Sequence, residues 1–139
     1  MASRQHDFIV EMIKIKMKAM GFETILSDSH YNDNAILRST PTIVHHKPDC
    51  IGYRKIDDSV CLGEAKYSGD FNNDRTIRQV CDFVTLANTK SNVWLVFGVV
   101  DVDEQKLKKI IDNNQLIVSE RVEVITVPER LLPNEKQEL

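Results

Sequence analysis

The 139-residue chain lacks any run approaching the ~18 consecutive apolar residues that cross a bilayer. Its opening, MASRQHDFIV, lacks the apolar stretch of a secretory leader. Together these predict a soluble protein of the cytoplasm with no membrane partner. Cysteine is scarce: Cys50, Cys61 and Cys81 are odd in number and widely spaced, which fits neither a paired disulfide framework nor a CxxC metal knuckle. They read as small core residues in a reducing compartment. A basic surplus is missing as well. With a net charge of −3, the overall field repels a polyanion, so a nucleic acid could be held only by local basic patches. Internal repeats and low-complexity blocks are absent, and the length allows one core only. The expected organisation is a single domain over 1–127, followed by a proline-broken, charged tail over 128–139 that is frayed or touches a partner.

What is present is periodic. From Gln5 to Met20 the apolar residues Phe8, Ile9, Met12, Ile13, Met17 and Met20 recur at helical spacing, and Gly21 supplies a stop. FETIL (22–26) is a candidate strand, and the polar stretch 27–42 reads as a long loop of the kind that often carries function. Two short strand-like runs, 49–54 and 60–66, flank KIDDS and predict a hairpin. An Asn/Asp cap then precedes Ile77, Val80, Cys81, Val84 and Ala87 at helical spacing. VWLVFGVV (93–100) is continuously apolar, as a strand covered on both faces at the sheet centre would be. A third helix over DEQKLKKIIDNN, a short strand at QLIV (115–118) and an alternating strand at VEVITV complete an α/β domain with a mixed central β-sheet flanked by helices.

The chemistry concentrates in the hairpin. Side chains alternate along a strand, so Glu64 and Lys66 share a face while Ala65 points away. A two-residue turn at 57–58 places Asp49 across from Lys66 and diagonal to Glu64; a register one step tighter places it across from Glu64. Either way two carboxylates and an amine converge at the end of a face otherwise made of Ile51, Val60 and Leu62. A carboxylate pair there is costly unless a cation neutralises it. The opposite face carries Cys50, Gly52, Cys61, Gly63 and Ala65, small enough for a helix to pack closely. An all-oxygen pair suits Mg2+ or Mn2+, and a neighbouring lysine can orient or deprotonate an attacking water. The plainer alternative is a salt-bridge cluster on a hairpin.

Pro48–Asp49, a gap of 14 residues, and Glu64–Ala65–Lys66 resemble the PD-(D/E)XK nuclease superfamily, and the surrounding order (αβββαβ) is similar to its restriction endonuclease-like core, over about residues 5–100. The resemblance implies a Mg2+- or Mn2+-dependent DNA endonuclease that hydrolyses phosphodiester bonds, with Asp49, Glu64 and the Ala65 carbonyl as metal ligands and Lys66 acting on the water. It further implies an acid on the first helix, with Glu11 the best match and Asp7 the fallback. Gln79 and Phe83 resemble the QxxxY motif of RecB-like nucleases with phenylalanine in place of tyrosine; Gln79 then shares a polar stripe with Arg75, Arg78 and Asp82. DNA contacts are expected from Lys14, Lys18, Arg38, His45, His46, Lys47, Arg54, Lys55, Arg75 and Arg78. The adjacent histidines point to opposite faces of a strand and so make a poor chelate. The size and the Gly21–Phe22 after the first helix are similar to Holliday junction resolvases, which implies a homodimer acting on branched DNA. A non-catalytic DNA- or protein-binding module with the same fold is the remaining alternative.

Overall fold

The computed structural model describes residues 3–27 and 42–134. A helix, α1 (Arg4–Ala19), is followed by β1 (Thr24–Ser27), β2 (Cys50–Arg54), β3 (Ser59–Lys66), α2 (Asp74–Thr89), β4 (Val93–Val100), α3 (Glu104–Asn113) and β5 (Val122–Val127). The strands form one mixed sheet in the order β1-β2-β3-β4-β5. The first three run antiparallel, and β3, β4 and β5 are parallel. Each parallel step needs a crossover, which α2 and α3 supply. β4 is therefore interior, beside the central β3 rather than at the centre itself.

Local chemistry sets the helix ends. The Ser3 side chain accepts from the His6 N–H at 3.0 Å to start α1. At its other end Gly21 sits at φ +94°, Phe22 N–H donates to Met17 O and Gly21 N–H to Lys18 O, a Schellman stop that an L side chain would strain. Asn73 caps α2 through the Thr76 N–H. The stretch 115–118 forms no strand: Gln115 turns at φ +54°, and Ile117 and Val118 are left exposed.

α1 covers one face of the sheet, burying Ile9, Val10, Ile13 and Met17 over Cys50, Cys61, Ala65 and Val96. α2 and α3 cover the other, with Val80, Phe83, Val84 and Leu107 against Leu62, Leu95, Phe97 and Val99. The close approach of α1 depends on missing side chains. A Cβ at Gly98 would lie 2.7 Å from Ile9 Cγ2 and 2.8 Å from Ile13, both pinned in the core. Gly98→Ala is accordingly expected to destabilise the fold by about 1–3 kcal/mol, read as a lowered urea midpoint with unchanged slope; no change would mean α1 is held more loosely than this. Cys50 and Cys61 are fully buried and free, and burial pushes the Cys61 thiol up to about 12. They pack rather than react.

The chain after β5 is docked as far as it is described. Leu132 packs on the α1 side of the core, and Gln5 Nε2 donates to the Pro133 carbonyl at 2.8 Å. Within the tail segment, Leu132 and Pro133 thus lie against α1 and its side of the core. No helix among the described residues is long and apolar enough to cross a membrane.

Candidate active site

The hairpin adopts the tighter register. Arg54 pairs with Ser59 and Cys50 with Gly63, because the loop is a 3₁₀ turn over Lys55–Asp57 closed by Asp58 at φ +55° rather than a two-residue turn. Asp49 consequently meets Glu64. Its N–H is shared between the Gly63 carbonyl at 3.0 Å and Glu64 Oε1 at 3.2 Å. Its Oδ2 accepts from the Ala65 N–H at 2.8 Å. Lys66 Nζ lies 3.0 Å from Glu64 Oε2 and donates to Gln79 Oε1 on α2. The three hairpin residues and Gln79 are thus linked as one network.

They line an open cleft of about 220 Å3 with His6, Lys47, Arg75 and Thr76. His6 is the residue that the sequence reading misses. It stands one turn into α1, its Nε2 3.2 Å from Asp49 Oδ2 and its Nδ1 3.9 Å from Asp7 Oδ1. Glu11, five residues on and so about 7.5 Å further along the axis, lies outside the cleft and pairs with Lys14 at 2.9 Å. Asp7 is buried beside His6 but does not line the cleft.

The electrostatics follow from crowding acids at the edge of an apolar core. Burial, and then the Asp49 charge, push the Glu64 carboxyl up to about 8 despite the nearby Lys66. Burial works against ionisation of Asp49 too, but the His6 hydrogen bond, the His6 charge and the Ala65 N–H outweigh it and hold that carboxyl below its ordinary value. For His6, burial favours the neutral ring, yet the Asp49 hydrogen bond and the charges of Asp49, Glu64 and Asp7 carry it up to about 9.

The donor set fits a hard divalent ion. Among the described residues no group of three or more His, Cys, Asp or Glu side chains is gathered that could hold a metal. Magnesium, however, commonly takes one or two carboxylates and completes its shell with water and phosphate. Asp49, Glu64 and the Ala65 carbonyl can supply the protein share, and a cation there would oppose the burial and the Asp49 charge that push the Glu64 carboxyl up.

The other predicted positions are scattered. Lys47 and Arg75 line the cleft and are exposed. Arg78 and Lys18 are exposed but are not among its lining. Arg38 lies outside the described residues. His45 and His46 do not occupy a strand: Val44 and His45, both at positive φ, form a tight turn bridged by Ile43 and His46. His46 Nε2 meets Asp82 Oδ2 at 2.7 Å, and its ring packs edge-on against Phe83, pinning the segment before Asp49 to α2. Phe83 is fully buried, so the QxxxY position is a core contact here. The polar stripe of α2 is divided, with Gln79 buried on Lys66 and Asp82 taken by His46.

Arg54 is committed to the fold. It donates to the Met20 carbonyl at 2.7 Å, pairs with Asp57 at 2.8 Å, and lies 4.7 Å from the Phe22 ring and 5.1 Å from the Trp94 ring. Arg54→Ala is expected to cost about 2 kcal/mol of stability, read as a lowered urea midpoint; unaltered stability would reverse that assignment.

Comparisons with protein-family models, curated proteins and solved structures return no match, so the chemistry of this cleft is read from its own geometry.

Proposed function

We propose that the protein is a metal-dependent deoxyribonuclease that hydrolyses phosphodiester bonds, with a core similar to that of restriction endonuclease-like enzymes. One observation carries the reading: Asp49 and Glu64 meet at the strand ends with Lys66 and Gln79 hydrogen-bonded beside them, at the floor of an open, polar cleft. The helix, three antiparallel strands, helix and parallel strand that frame the cleft are in keeping with it.

When bound, Mg2+ or Mn2+ would neutralise the carboxylate pair, draw in a phosphate oxygen and acidify a water. The chain's own groups do the rest. Asp49, fixed by the Ala65 N–H, and Glu64 would hold the ion. Lys66, nearly buried and oriented by Glu64 and Gln79, presents its amine to the attacking water and offsets negative charge as it builds on the phosphoryl oxygens. Arg75 and Lys47 are placed along the cleft to meet the flanking phosphates. The acidic balance of the chain leaves binding to these local groups, so affinity should fall steeply with salt.

The experiment is one incubation of supercoiled plasmid, linear duplex, single-stranded and four-way-junction DNA with magnesium or with EDTA. Magnesium-dependent products support the proposal, and preferential cutting of the junction over linear duplex narrows it to a resolvase. Salt-sensitive binding with no products in magnesium or manganese contradicts it in favour of a binding module.

A further inference from the structure

We infer, resting on the reading of the cleft as a metal site, that His6 is a positioning residue that sets which divalent ion the cleft accepts, by confining Asp49 to coordination through a single oxygen. The two carboxylates are held in different ways. Glu64 takes one donor on each oxygen, the Asp49 N–H on Oε1 at 3.2 Å and Lys66 Nζ on Oε2 at 3.0 Å. Asp49 gathers two donors on one oxygen: Oδ2 accepts from the Ala65 N–H at 2.8 Å and meets His6 Nε2 at 3.2 Å. A carboxylate oxygen has about two lone-pair sites. Oδ2 is therefore filled, and Oδ1 is the atom left to an ion. An oxygen already accepting the Ala65 N–H takes a second hydrogen from the ring, so Nε2 carries the proton and has no lone pair with which to ligate a metal.

The ring is built into this place. The Ser3 cap fixes the first turn of α1 through the His6 N–H itself, and the other ring nitrogen, Nδ1, stands 3.9 Å from Oδ1 of the buried Asp7. Ion size converts that hold into selectivity. Mg2+ and Mn2+ take a small octahedral shell in which one oxygen per carboxylate suffices, whereas Ca2+ takes about six to eight oxygens and gains from gripping a carboxylate by both. With Oδ2 filled, Asp49 cannot offer that grip, and the larger ion is disfavoured. Outer hydrogen bonds of this kind orient a ligand without touching the metal. His6 also sets a positive charge beside the site. Removing it would strengthen the binding of either divalent ion alike, so the ratio of two affinities, rather than one affinity alone, reports the geometry.

The test is calorimetric titration of the full chain with Mn2+ and with Ca2+, beside His6→Ala and His6→Gln. Both variants lose the ring and its charge, but the glutamine amide keeps a donor near the place of Nε2. The ratio of Mn2+ to Ca2+ affinity is expected to fall about tenfold in His6→Ala and to stay within about threefold of the unaltered chain in His6→Gln. Pulsed electron paramagnetic resonance of the unaltered chain with Mn2+, which needs no variant to fold, is expected to show no nitrogen coupling from a directly bound imidazole. An unchanged ratio in His6→Ala, an equal fall in both variants, or imidazole coupling to the ion would each overturn the inference while leaving the metal reading intact. An unaltered chain that binds neither ion would overturn that reading as well.

Discussion

Asp49→Asn and Lys66→Ala are each expected to lower magnesium-dependent DNA cleavage by at least about a hundredfold while the fold persists. The asparagine keeps the shape of Asp49 and can still accept from the Ala65 N–H. What it removes is the charge that would hold the ion and the charge that engages His6 at 3.2 Å. Truncating Lys66 acts differently. It leaves both carboxylates in place but takes away the amine that touches Glu64 and Gln79, so metal binding should survive while turnover does not. A supercoiled-plasmid nicking assay reads the loss, and calorimetric manganese titration separates the two variants. Full cleavage by either variant would remove the catalytic assignment, and loss of folding in both would leave Gln79→Ala, with Lys66 intact but unsupported, as the informative case: its cleavage should fall by a smaller factor.

Raising the pH of the metal-free protein from about 5 to about 9 is expected to lower its melting temperature, and magnesium is expected to restore it. Glu64 is raised from 4.5 to about 8, chiefly by burial and next by the Asp49 charge. His6 is raised from 6.5 to about 9, the Asp49 hydrogen bond and the surrounding acids overcoming burial. A group whose folded pKa lies above its unfolded value binds more protons when folded. Its stabilisation is complete below the unfolded value and is lost as pH rises through the folded one. Both groups therefore act in the same direction, with Glu64 setting the decline from about 4.5 to 8 and His6 extending it to about 9. Asp49, held below its ordinary 3.8, contributes at the other end, and that share disappears as pH falls beneath this value.

A cation that favours ionised Glu64 opposes the alkaline decline. At a hundredfold excess over Kd it adds about 2.7 kcal/mol, on the order of 10 °C for a domain of this size. Glu64→Gln removes the buried acid and the ligand together. At pH 8 in EDTA this variant should melt no lower than the unaltered chain, and added magnesium should not shift it. Melting of the unaltered chain that ignores magnesium at pH 8, or a Glu64→Gln variant that still responds to it, would contradict this account of the cleft.

The features legible in the sequence are those that depend on short-range periodicity. Alternation along a strand puts Glu64 and Lys66 on one face whatever surrounds them, and the small residues Gly52, Gly63 and Ala65 on the opposite face announce the helix that α1 turns out to be. The register between β2 and β3 was not legible, because it depends on a loop whose Asp58 adopts a left-handed conformation, a choice that several residue types permit. His6 was hidden for a different reason. On a helix with lysines over much of its outer face, a histidine in the first turn looks like a capping-region surface residue, and only the meeting of that turn with the start of β2 gives it a role. The Ser3 cap is the one local signal that fixes the first turn and could have drawn attention to the residues within it. Ile117 and Val118 misled in the opposite sense: their composition suits a strand, but the turn at Gln115 leaves them outside the sheet.

The most direct test of the central claim is manganese anomalous diffraction from crystals of the unaltered chain soaked at pH 8. The account predicts one strong peak within bonding distance of both the Asp49 and the Glu64 carboxylates, with the Lys66 amine beside it. No peak in the cleft, or an ion bound elsewhere while Asp49 and Glu64 turn apart, would contradict it.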